Sequence, residues 1–421
     1  MSIRKTLVIS FAMFSMIFGG GNFILPPLLG INAADSWTIV AVAFGVSGVV
    51  IPLLGIFVQA KIQGTMIDIG KKIHPIFGLV MGVLMYGVCL SFPIPRTASV
   101  TYELAIVPYF SISSLGFSIV YFSLVFYLCF NRGKILDILG KYLTPILLVI
   151  ILLIIFKAVF FVEGTPVKTT LENPFKEGLL EGYQTFDGIA SIIIGGVIIT
   201  SLGLDKELSF QQRKRLTVIS GIISGVALFT IYMGFIYTGA ILGDKFASSQ
   251  SVSRTEVLSV ISYHTLGNIG KTLLNISVSI ACFTTAVGVI TGAADFMKTI
   301  FKHSAWAYKI TVFVSCLLGV VVGQTGTDNI IKIAVPILVV IYPIVMMLIF
   351  LNLASENWTS PLIFKSVVLT SFLFSIPNFM ASVGITELDF SAHLPLSSYG
   401  LAWLLPSFIV WGLVFLIKKT K

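Results

Sequence analysis

The chain has 421 residues, of which 56% are hydrophobic and only 11% charged, with a formal net charge of +9 and a mean hydropathy of +1.01. A soluble domain carries roughly a quarter charged residues and could not cover this much apolar side chain, whereas a polytopic membrane protein leaves apolar faces in lipid. Disorder, collagen-like repeats and disulfide scaffolds are excluded by the same figures, and the lysines and arginines sit in short connections between apolar runs, a pattern of membrane topology rather than nucleic-acid binding.

A hydrocarbon core about 30 Å thick takes roughly 20 helical residues to cross. Apolar runs of that length predict twelve spans, at 7–31, 37–60, 76–108, 115–130, 142–162, 183–203, 216–243, 271–294, 308–323, 329–351, 361–379 and 397–417. The expected class is all-α, with one membrane domain over 1–421. The longest polar connections, 163–182 and 244–270, are too short to fold alone. Arg4 and Lys5 ahead of an apolar run raise the possibility of a signal peptide. The run breaks at Gly19-Gly20-Gly21 without a small-residue cleavage site, so the first span is read as retained. Arg213-Lys214-Arg215 and Lys418-Lys419 mark cytoplasmic ends and put both termini inside the cell.

The first span carries Phe18-Gly19-Gly20-Gly21-Asn22, then Pro26-Pro27. Contiguous glycines favour unwinding, and the Asn22 amide both donates and accepts. Close helix packing through small residues is the competing reading, but it prefers a four-residue spacing. The third span looks too long for a straight crossing, which predicts a tilted helix. Its Arg96 and Glu103 are two turns apart on roughly one face; they either line or gate an outer vestibule or snorkel to the interface. Lys157, near the outer end of the fifth span, reads as snorkelling.

The sixth span opens on Tyr183-Gln184-Thr185-Phe186-Asp187-Gly188-Ile189-Ala190-Ser191. A carboxylate at mid-span costs at least about 2.5 kcal/mol, so Asp187 should face a cavity or a cation, unless it lies at the outer interface. Paired interruptions at corresponding positions of two halves point to an inverted-repeat secondary transporter. Half-helix N-termini would then attract an anionic group and freed carbonyls a cation. The halves are expected at 1–162 and 183–351, with two additional helices over 361–417.

These stretches, together with Pro93-Ile94-Pro95-Arg96-Thr97-Ala98-Ser99-Val100-Thr101-Tyr102-Glu103, resemble the bacterial branched-chain amino acid:cation symporters over nearly the whole chain. The resemblance implies the five-plus-five inverted-repeat fold of the amino acid–polyamine–organocation superfamily (LeuT-like fold), with helices one and six holding the substrate and a sodium ion bridging helices one and eight. It implies uptake of leucine, isoleucine and valine through Phe18, Gly19, Gly20, Gly21, Asn22, Thr185, Phe186, Asp187, Gly188 and Ile189. The implied sodium cage is Ser15, Phe18, Ala281, Thr284 and Thr285. The inner half of the fifth span, Tyr142 to Ile155, lacks the lysine that proton-coupled relatives use, which favours sodium over protons. No other cofactor is implied, the partners being amino acid, sodium and lipid in the bacterial cell membrane.

The alternatives are a proton-coupled carrier of another neutral amino acid and, from different classes, a membrane-embedded enzyme or a channel. The four histidines, His74, His264, His303 and His393, fall in separate loops without metal spacing. Gly267-Asn268-Ile269-Gly270-Lys271-Thr272 has Thr265 where a phosphate loop needs its first glycine. The four cysteines, Cys89, Cys129, Cys282 and Cys316, lie in apolar runs as packing thiols. Paired broken helices suit alternating access better than a continuous pore.

Overall fold

The computed structural model describes residues 3–130, 138–162, 164–169, 171–203, 208–246, 253–385 and 394–419; His393 lies outside them. Among the described residues the secondary structure is entirely helical. The first crossing is α1 (Ile3–Ile17) and α2 (Gly20–Ala33), and the second is α3 (Trp37–Gly45) and α4 (Ile51–Ile62), joined by a π turn. A short helix, α5 (Met66–Gly70), leads to the third, α6 (Pro75–Ser91) and α7 (Pro93–Thr101). The fourth and fifth are α8 (Ser114–Phe130) and α9 (Thr144–Phe161). The sixth is α10 (Pro174–Tyr183) and α11 (Asp187–Gly203), followed by α12 (Phe210–Ile241) and α13 (Arg254–Ile300). The last four crossings are α14 (Ala305–Val322), α15 (Thr327–Leu353), α16 (Pro361–Ser382) and α17 (Leu404–Lys419).

Length and breaks decide how these helices count as crossings. The helical run Gly20–Ile62 has 43 residues, about 65 Å at 1.5 Å per residue and twice the hydrocarbon core. Ala34, at φ 48°, turns the chain back within it, so the run holds the end of one crossing and the whole of the next. Twelve crossings result among the described residues.

Three elements differ from the sequence expectation. The third crossing breaks at Phe92 (φ −121°, ψ −67°), where Pro93 starts a new helix, so the long span is kinked. The sixth begins at Pro174 instead of 183, because the Asn173 side chain accepts from Lys176 N (3.1 Å) with Pro174 in the first helical position. The eighth is preceded by a helical segment over 254–266, the lid helix, that continues into it through Gly267, whose φ of +62° only glycine adopts readily.

The two halves exchange equivalent contacts. Crossing one packs through α1 and α2 on α12 of crossing seven, and crossing six packs through α10 and α11 on α3 and α4 of crossing two. Small polar residues seat the first of these pairs: Ser224 Oγ donates to Ser10 O (2.8 Å) and Ser220 Oγ to Thr6 O (3.3 Å). α13 lies against α1, α2 and α7, bringing crossing eight onto the first break. α16 packs on α15 and α17 on α16, while Val149, Phe160, Val226 and Ile310 point apolar side chains outward, where a bilayer accepts them.

Candidate functional site

The first break is two residues long. Phe18 N still bonds Phe14 O (2.8 Å), α2 restarts at Gly20, and the Asn22 side chain accepts from Gly19 N (2.9 Å) while Asn22 N bonds Gly19 O (3.1 Å). Asn22 therefore closes the frayed N-terminus of α2 with its own amide, a reciprocal cap that leaves the amide nitrogen to reach across the molecule. Asn22 Nδ2 donates to Asp187 Oδ2 at 2.7 Å and contacts the Tyr232 hydroxyl, which itself donates to Asp187 Oδ2 at 2.8 Å.

The second break is Gln184-Thr185-Phe186. Thr185 Oγ1 donates to Gly182 O (2.8 Å) and accepts from Asp187 N (3.2 Å), capping both half-helices at once. Phe186 takes φ +66°, a costly conformation for an aromatic residue and one that marks functional sites. Gly188 N, in the first turn of α11, donates to the Tyr342 hydroxyl (3.2 Å), whose ring stacks on Tyr183 at 4.5 Å. Asp187 is 1% exposed; it lies at the break facing α2 and α12, not at an interface.

Between the two breaks is a small cavity of about 20 Å³. Gly19, Gly20, Gly21, Asn22, Thr185, Phe186 and Asp187 line it from crossings one and six. Ile17, Cys89, Ala190 and Val289 give it apolar wall. Phe18 and Ile189 are buried but stand behind the wall: Phe18 stacks on Phe14 at 5.1 Å and meets Phe23 edge-on at 4.8 Å.

Arg96 belongs to this cavity and Glu103 does not. Arg96 is 3% exposed, its Nη1 donates to Gln184 O (3.1 Å), and its guanidinium lies 5.4 Å from the Phe186 ring centre. Glu103 instead accepts from Thr327 N (3.1 Å) at the start of α15, where a carboxylate complements the helix end. The two are seven residues apart, about 10 Å along the helix axis, so Glu103 reaches the start of α15 while Arg96 reaches the cavity.

The threonine pair of crossing eight meets crossing one beside the first break. Thr284 Oγ1 donates to Ser15 O (2.7 Å) and Ala281 O (3.0 Å), and Thr285 Oγ1 to Ser15 O (3.2 Å). Four hard oxygens therefore converge beside the first break, where a Cβ on Gly19 would lie 3.0 Å from Thr285 Oγ1. Sequence reasoning missed Tyr232 and Tyr342. The signal was a tyrosine inside an apolar span, since a buried hydroxyl needs a partner.

A family model described as branched-chain amino acid transport protein matches residues 2–421. The branched-chain amino acid permease BraB of Bacillus subtilis is 32% identical over 425 residues, covering 97% of this chain and 94% of the relative. A mutant of the Eremococcus coleocola manganese transporter superposes with a TM-score of 0.62 at 12% identity, over 98% of this chain and 92% of that one. A Na+-coupled sialic acid symporter, in a substrate-bound outward-open state, gives 0.62 at 13% identity over 98% and 90%. At these identities the two structures show a shared fold.

Proposed function

Starting from a chain that belongs to the branched-chain amino acid transport protein family, a multi-pass membrane transporter and not an enzyme, we propose that it is a sodium-coupled symporter of leucine, isoleucine and valine. Both termini lie in the cytoplasm of a bacterial cell, and substrate enters from the opposite side. The observation that carries the sodium assignment is the convergence of Ser15 O, Ala281 O and the Thr284 and Thr285 hydroxyls beside the first break. Rotating the two hydroxyls turns their lone pairs toward a shared centre, and sodium is a hard cation suited to an all-oxygen cage completed by the Phe18 carbonyl.

The substrate's zwitterionic head lies between the N-termini of α2 and α11, whose first-turn amides and dipoles favour its anionic end. Its branched tail lies against Ile17, Cys89, Ala190 and Val289. An apolar wall separates substrates by only about 1–3 kcal/mol per methylene, which makes all three branched-chain amino acids substrates. The cavity has room for about one water, so loading requires the walls to part. Sodium ties Ser15 of α1 to α13 and so orders the break against which the amino acid packs; ion and substrate then raise each other's affinity by one factor.

Titrating leucine binding to the purified transporter across sodium concentrations tests this. The expected result is a leucine affinity that rises about 5- to 150-fold with sodium, with isoleucine and valine competing. Equal affinity in sodium and in choline, with binding driven instead by acid pH, would replace sodium by protons.

A further inference from the structure

The cavity between the breaks holds an imbalance of charge on one wall. Arg96 reaches it from α7, buried to 3% exposure, and a Cβ placed on Gly21 would land on Arg96 Nη2. The guanidinium thus passes directly against the first turn of α2, an approach that only glycine permits. α2 is 14 residues long with no acidic residue in its own first turn, so the positive end of its dipole faces the cavity with no carboxylate from its own helix. Two positive sources face the same space.

The guanidinium is also short of acceptors. Nη1 donates to Gln184 O at 3.1 Å; among the described residues Nη2 and Nε donate to no protein acceptor, and no ion pair joins Arg96 to Asp187. Asp187 stands on another part of the wall with Oδ2 engaged by Asn22 and Tyr232. A buried cation is retained at such a cost only when an anion or a set of acceptors completes it. The planar fork of arginine matches a carboxylate bidentately.

We propose that Arg96 is the carboxylate-binding residue of the site: its guanidinium, together with the first-turn amides of α2, takes the α-carboxylate of the transported amino acid. The proposal rests on the substrate reading above and adds the residue that demands a free carboxylate. Phe186, under the guanidinium at 5.4 Å, holds the fork flat against the cavity. The substrate's ammonium then points toward Asp187, and the zwitterion binds in one orientation.

The test is a binding competition on the purified, full-length transporter with labelled leucine, displaced by leucine or by leucinamide, which keeps the tail and the amine but lacks the carboxylate. Wild type should prefer leucine by on the order of 30-fold or more, the scale for truncating one partner of a buried charge pair. Arg96→Gln should weaken leucine by a similar factor while leaving leucinamide within about threefold, and residual leucine binding should keep its sodium activation. Arg96→Lys, which preserves charge without the fork, should fall between. Equal losses for both ligands in Arg96→Gln would make Arg96 a positioning residue and overturn the proposal, as would unchanged leucine affinity. Wild type that binds leucinamide as tightly as leucine overturns it with no variant needed. Wild type that binds none of leucine, isoleucine and valine overturns instead the substrate reading beneath it.

Discussion

Thr284 and Thr285 both reach a carbonyl of another helix, Thr284 while also bonding Ala281 O on its own, although a threonine in a membrane helix ordinarily returns its hydroxyl only to its own preceding turn. Both reach Ser15 O, and this cross-helix choice sets them apart from Thr230 and Thr238, each bonded four residues back. Replacing both by alanine should raise the sodium concentration for half-maximal leucine binding at least about tenfold, a loss of about 1.4 kcal/mol, while thermal unfolding without sodium stays near wild type. Unaltered sodium dependence would remove the cage from crossing eight. Gly21 allows a second single-residue prediction. Gly21→Ala adds a good helix former worth about 0.5–1 kcal/mol to α2, but its Cβ displaces Arg96 Nη2. Leucine uptake should fall at least about tenfold, or 1.4 kcal/mol, with the protein still inserted; wild-type uptake would mean that the glycines serve packing alone.

At the scale of elements, the two breaks were readable because glycine, proline and a mid-span carboxylate are local signals. The outer half of crossing six was not. Lys176, Glu177 and Glu181 make 174–183 look like a loop, whereas its placement depends on tertiary packing, with Gly178 so close to α3 that a Cβ would press on the Val40 carbonyl. The Asn173-Pro174 cap was the legible clue. The kink at Phe92 was likewise written in Pro93 and Pro95, but span length alone predicted tilt.

The lid helix ahead of crossing eight buries Val257, Leu258 and Ile261 and is pinned by Arg254, which pairs with Glu181 of α10 (3.0 Å) and Asp328 of α15 (3.5 Å). Glu181 and Arg254 are both about one-fifth exposed, so the latch contributes on the order of 1 kcal/mol, or fivefold in an opening equilibrium. Arg254→Gln should expose the cavity wall more often. Maleimide labelling of Cys89, with the other three cysteines replaced by alanine, reads this directly. The expected result is labelling about fivefold faster than in the Arg254 background, slowed again by leucine; an equal rate would show that the ion pairs do not hold the lid.

On the scale of the whole molecule, composition and hydropathy sufficed for the all-helical class and twelve crossings. The halves were legible because an inverted repeat places its broken helices at corresponding positions. Which side chains meet across the repeat was not legible. Tyr232 and Tyr342 converge on Asp187 and Gly188 from crossings seven and ten, and Arg96 enters from a kinked third crossing. Such contacts are set by how rigid bundles pack and not by any local pattern. The same packing closes the two breaks on each other: each is capped by its own residues, Asn22 in the first and Thr185 in the second, and the Asn22–Asp187 hydrogen bond joins them.

The most direct measurement is accumulation of labelled leucine in proteoliposomes under an inward sodium gradient, an inward proton gradient and no gradient. Sodium-driven accumulation above the external concentration, inhibited by isoleucine and valine and absent under the proton gradient alone, is the predicted result. Accumulation driven by protons with sodium inert would contradict it.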